Sequence, residues 1–119
     1  MRKRVLVAED FIDNRRLLKF LLEKCGYDVL EAENGFEAVK LAASARPDLI
    51  LMDIAMPVMD GIQATQAIRK QDDLKEIPIV AVTAYGDFYR ERALEAGCND
   101  VIQKPVEVTG FGTFISEYL

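Results

Sequence analysis

Asp53 closes the apolar run Leu49-Ile50-Leu51-Met52, and the chain then passes through Ile54-Ala55-Met56-Pro57-Val58-Met59 to Asp60-Gly61. An apolar run ended by one carboxylate, followed by a Pro-containing loop and a Gly, reads as a buried strand that delivers a single charge to the carboxyl edge of a sheet. Ligands of open α/β sheets bind at that edge. An aspartate held there can attack phosphorus or ligate a metal. Taken alone, it is equally a turn residue that begins the next helix. Three other apolar runs also end in polar residues, at Glu9-Asp10, at Thr83 and at Lys104.

The elements that must position these residues follow from periodicity. Short apolar runs alternate with helical stripes, which is the pattern of a parallel sheet with helical crossovers. Strands are expected over Lys3 to Ala8, Tyr27 to Glu31, Leu49 to Asp53, Ile79 to Val82 and Asn99 to Ile102. Between the first two, Asp13 or a neighbour caps a helix whose face is Leu17, Leu18, Leu21, Leu22 and Cys25, and Gly26 stops it. Asn34-Gly35 turns into a helix with the small face Ala38, Leu41, Ala42 and Ala45, and Pro47 ends that connection. Asp60-Gly61 opens a helix carrying Ala64, Ala67 and Ile68. Tyr89, Ala93, Ala96 and Gly97 share a face of the next. Phe111, Phe114, Ile115, Tyr118 and Leu119 follow helical spacing at the end, where Gly110 and Gly112 predict a late or frayed start. With right-handed crossovers the expected architecture is a flavodoxin-like, doubly wound five-stranded parallel sheet of order 2-1-3-4-5, with helices on both faces. Residues 1–119 make one domain.

In that topology the ends of strands one, three, four and five converge. They bring Glu9, Asp10, Asp53, Thr83 and Lys104 to one small place. Two like charges about 4 Å apart repel by roughly 4 kcal/mol at an effective dielectric near 20, so three carboxylates require cationic company, and Lys104 alone is one charge short. A hard divalent ion fits. Mg²⁺ is held by one or two carboxylates, a carbonyl and waters, with positions left for phosphate oxygens. A nucleophile, a charge-neutralising metal, a hydroxyl and an ammonium are the parts that phosphoryl transfer to a carboxylate requires. The plainer reading makes Glu9 and Asp10 helix caps with Lys104 as their ion-pair partner.

Glu9-Asp10 after the first strand, Asp53 with Met56-Pro57 and Asp60-Gly61 after the third, Thr83-Ala84 after the fourth and Lys104-Pro105 after the fifth occur in order along the chain. In this the sequence resembles the receiver domain of two-component response regulators, and the resemblance spans essentially its whole length. It implies that Asp53 accepts a phosphoryl group from a phosphohistidine on a sensor histidine kinase or histidine phosphotransfer protein. It also implies that Asp10, Asp53 and the backbone carbonyl of Ala55 ligate Mg²⁺, with Glu9 acting mainly through water. Lys104 would pair with a phosphoryl oxygen, Thr83 would move toward another, and Lys104-Pro105 would be a cis peptide. The inward pull on Thr83 and its loop would re-bias the face near the fourth helix toward a downstream protein target.

Two positions depart from the family pattern. Val101 stands where receivers commonly carry an aromatic rotor, so the usual coupled motion of Thr and ring lacks its ring. Tyr85 is aromatic instead. It is expected either to lie over the mouth of the site and hinder the hydrolytic water, or to be a surface tyrosine without kinetic effect. Tyr85 and Phe88 also suggest an exposed apolar patch of the kind partners use, with a core position as the alternative for Phe88.

Other functions fit less well. A haloacid-dehalogenase-like phosphatase needs a second Asp two residues after the nucleophile, and Ala55 stands there. The GxxxxGK[ST] loop of P-loop NTPases is missing, and Glu9 and Asp10 would repel a flavin phosphate. An interaction module that works without phosphorylation is the remaining alternative. Lack of His excludes histidine-based catalysis and most zinc sites. Cys25 and Cys98 lack metal or CxxC spacing and are expected to be buried free thiols. Net charge −5 and pI about 4.8 give a field that repels nucleic acid. No apolar run nears the roughly 20 residues of a membrane span, and carboxylates interrupt the basic-then-apolar start too early for a signal peptide. The expectation is a cytoplasmic signalling domain, not an enzyme beyond its own phosphorylation and slow dephosphorylation, that acts through protein contacts and allows a weak homodimer.

Overall fold

The computed structural model describes residues 2–119. Its elements are β1 (Arg4–Ala8), α1 (Ile12–Lys24), β2 (Asp28–Ala32), α2 (Gly35–Ala45), β3 (Leu49–Asp53), α3 (Gly61–Arg69), a 3₁₀ turn (Asp72–Leu74), β4 (Ile79–Thr83), α4 (Gly86–Ala96), β5 (Asp100–Gln103) and α5 (Phe111–Ser116). All strand pairs are parallel, in the order β2-β1-β3-β4-β5. The flavodoxin-like arrangement expected from the sequence is present.

Every residue of β3 and β4 is buried, because helices cover both faces of the sheet. Side chains alternate between two layers. Leu6, Ile50, Met52, Ile79 and Ala81 face the layer built by α2, α3 and α4, whereas Val5, Val7, Leu49, Leu51, Val80 and Val82 face α1 and α5. Register then sets the edge. Ala8 pairs with Met52 and Asp53 with Val82, so Glu9 comes level with Asp53 at the carboxyl ends.

Local chemistry fixes the helix starts. Asn34 Oδ1 accepts from Glu37 N–H at 2.8 Å to cap α2, and Asp60 and Gln63 form a reciprocal capping box on α3. Gly61 lets α3 begin against β3: a Cβ there would overlap the Asp53 carbonyl oxygen.

Several expectations shift. β2 and β5 each begin one residue later than the pattern predicts, and β1 begins at Arg4. The N-cap of α1 is Phe11 with no side-chain bond, and Asp13 lies within the first turn. Leu17 and Cys25 do not share the buried face of α1, which is Leu18, Leu21 and Leu22 with Arg15. Leu17 is turned about 100° from Leu18, and Cys25 follows the last packed turn, so its thiol is exposed and only Cys98 is the buried one expected. α2 ends at Arg46 in the left-handed conformation (φ 48°), one residue before Pro47, as a residue preceding proline avoids the helical region. The polar stretch before β4 buries Leu74. The last helix is not late in starting: it begins at Phe111, the first residue of the expected face, with Gly110 at φ 84° before it and Gly112 in its first turn, and it ends at Ser116, short of Tyr118 and Leu119.

Candidate functional site at the carboxyl edge of the sheet

Glu9 and Asp53 are both nearly inaccessible, whereas Asp10, next along the chain, is exposed. One oxygen from each of Glu9, Asp10 and Asp53 lies within 4.8 Å of the others, the one such cluster among the described residues. Lys104 reaches in from the residue after β5. Its Nζ donates to Glu9 Oε1 at 2.7 Å and lies 3.2 Å from Asp53 Oδ2. Glu9 Oε2 accepts from Phe11 N–H at 3.2 Å. Asp53 Oδ1 is buried with no hydrogen-bond partner.

The electrostatics follow from that crowding. Burial pushes Asp53 up to about 7, with the neighbouring Glu9 carboxylate adding to it and Lys104 opposing it. Burial raises Glu9 as well, but the adjacent Asp53 carboxyl and the hydrogen bonds from Lys104 and Phe11 N–H outweigh this and hold it below the usual range. Burial lowers Lys104, yet Glu9 and Asp53 more than restore it, so its ammonium is secure. One ammonium faces three carboxyl groups. The donor set is all hard oxygen, and a buried carboxylate oxygen without a partner is costly. Both features fit a hard divalent cation, and the cluster could hold one.

Thr83 is buried at the end of β4, where its Oγ1 accepts from Tyr85 N–H at 3.1 Å and its carbonyl accepts from Lys104 N–H at 2.8 Å. Ala84 and Ala55 lie exposed in the loops after β4 and β3. The Lys104-Pro105 peptide is cis. Val101 is half-buried against the α2–α4 layer. Tyr85 and Phe88 are 68% and 71% exposed, so Phe88 is a surface residue and not core. A cavity of about 270 Å³ adjoins the site between α1 and the ends of β4 and β5, lined by Glu9, Leu17, Leu18, Lys104 and Pro105 among others.

Arg15 escaped the sequence reading. Its buried guanidinium donates from Nη1 to the Glu9 carbonyl at 2.9 Å and from Nε to Glu31 Oε1 at 3.1 Å, so it ties the backbone of the acidic pair to the end of β2. Only the excess of leucines around it hinted that position 15 is a packed one.

Residues 5–112 match the response regulator receiver domain. The chain belongs to that family. Among its relatives is the polar-differentiation response regulator DivK of Brucella anthropi, 42% identical over 122 positions that span 100% of this chain and 98% of that protein. The receiver domain of sensor histidine kinase PA1611 from Pseudomonas aeruginosa PAO1, described with a magnesium ion coordinated in its active-site cleft, superposes with TM-score 0.92 at 34% identity, covering 99% of this chain and 98% of that one. Chemotaxis response regulator CheY4 of Vibrio cholerae gives TM-score 0.92 at 29% identity with both chains covered in full. This receiver is therefore a two-component signalling domain rather than an enzyme with a separate substrate. Receivers interact with histidine kinases and downstream targets. No helix among the described residues is long and apolar enough to cross a membrane.

Proposed function

We propose that residues 1–119 act as one receiver unit in which Asp53 takes a phosphoryl group from phosphohistidine. The carrying observation is the asymmetry of the Asp53 carboxylate, with Oδ2 beside Lys104 and Oδ1 buried without a partner. An Asp53 oxygen attacks phosphorus, the P–N bond breaks, and the leaving imidazole nitrogen takes up a proton. Asp10, Asp53 and the Ala55 carbonyl would hold Mg²⁺, with Glu9 assisting mainly through water. When bound, that ion neutralises phosphoryl charge.

The remaining steps belong to the chain itself. Lys104 leaves Glu9 or Asp53 to pair with a phosphoryl oxygen. Thr83 gives up Tyr85 N–H and turns its hydroxyl to another, which carries the β4–α4 turn inward and changes the surface offered to a downstream target. Val101 has no ring to follow that motion. Tyr85, exposed beside the turn, shields the phosphoryl group from water. The cognate donor is a histidine kinase or phosphotransfer protein in the cytoplasm. Incubation with a small-molecule phosphodonor tests the reading by intact mass: one phosphoryl adduct is expected on the wild type with Mg²⁺, and none without the metal or on Asp53→Asn. An adduct that survives Asp53→Asn would refute it.

A further inference from the structure

Gln103 is the last residue of β5 and stands opposite Thr83 in the β4–β5 register. Its side chain runs past the strand end to the β4–α4 turn. Gly86 N–H donates to Oε1 at 2.6 Å, and Nε2 donates to the Ala84 carbonyl. The first turn of a helix leaves N–H groups without intrahelical partners, and Tyr85, at the N-cap of α4, supplies no side-chain bond. The missing cap thus arrives from the neighbouring strand. The approach is close: a Cβ at Gly86 would lie 2.5 Å from Gln103 Oε1, so the carboxamide would have to move aside for any larger residue.

The same turn has a second tie, Tyr85 N–H to Thr83 Oγ1. The two ties respond differently to events at Asp53. A Thr83 hydroxyl that turns toward Asp53 releases Tyr85 N–H, whereas the carboxamide of Gln103 is hydrogen-bonded to Ala84 and Gly86 and not to Glu9, Asp53 or Lys104, so nothing at Asp53 releases it and an inward move of the turn has to break it.

We propose that Gln103 is a positioning residue that fastens the β4–α4 turn to β5 in the arrangement seen here and so opposes the inward move of Thr83. This rests on the phosphoacceptor reading of Asp53. Removing the clasp makes the switched arrangement easier to reach, by roughly five- to tenfold for the loss of about one net hydrogen bond.

Amide hydrogen exchange and a phosphoryl-mimic titration of the full chain test it. In Gln103→Ala the Gly86 amide is expected to exchange roughly fivefold faster, with the amides of β1 and β3 unchanged as the control for folding. Gln103→Glu retains an acceptor for Gly86 N–H and is expected to keep the protection. Beryllium fluoride with Mg²⁺ should bind Gln103→Ala severalfold more tightly than wild type. Unchanged Gly86 exchange in Gln103→Ala would overturn the clasp. Faster exchange with equal or weaker beryllium fluoride binding would overturn its link to the switch. If wild type bound no beryllium fluoride at all, the phosphoacceptor reading would fall and the coupling with it, while the exchange result would still decide whether the clasp exists.

Discussion

At Asp53 the chain keeps a carboxyl group where it is uncomfortable, buried beside Glu9 with a single ammonium to share. The discomfort has a sign. Because the group sits at about 7, protons compete with a cation for its oxygens below neutrality and lose above it. Mg²⁺ affinity is therefore expected to rise about tenfold between pH 6 and pH 8, the change in the ionised fraction of a group at that pKa. Calorimetric titration at the two pH values checks this, and equal affinities would contradict it. Tyr85 makes a separate claim at the same scale. If its ring shields the phosphoryl group, Tyr85→Ala shortens the lifetime of the phosphorylated protein severalfold after removal of the donor, whereas an unchanged lifetime reduces Tyr85 to a surface residue.

At the scale of elements, Asp53 and Thr83 close strands that are buried throughout and Glu9 follows a mostly buried one, and this made most of the site visible in the sequence, whereas Lys104 follows the half-buried edge strand β5. A run such as Leu49 to Met52 has one structural explanation, and the first charge after it must lie at the edge. Helices were harder. α1 carries leucines at positions 17, 18, 21 and 22, and periodicity alone did not exclude Leu17 or Cys25 from its packed face. Arg15 and Gln103 act through long side chains that reach backbone groups on other elements, a relation that spacing along the chain does not encode. The start of α3 was legible in Asp60-Gly61 and is correspondingly testable. Asp60→Ala removes one half of the capping box and is expected to cost about 1 kcal/mol in chemical denaturation. A loss below about 0.3 kcal/mol would mean that packing of Gly61 on β3, rather than the cap, fixes that helix start.

For the whole molecule, the fold brings residues from sequence positions 9 to 104 within hydrogen-bond reach of one another, as Lys104 and Glu9 show at 2.7 Å. Parallel register does this work: consecutive strands all point the same way, so each contributes its last residue to one edge. Family membership and sheet order were legible because five short signals fell in the order that this edge demands. The polar ties among loops were not, since they depend on how the edge closes in three dimensions. The central claim is that one carboxylate at this edge carries the phosphoryl group. Borohydride reduction of the protein after incubation with phosphodonor and Mg²⁺, followed by peptide mass analysis, addresses it at a single position. Homoserine at position 53 and at no other aspartate is the result this account predicts. Reduction at Asp10 instead, or aspartate retained at position 53 in protein that carries the phosphoryl adduct, would contradict it.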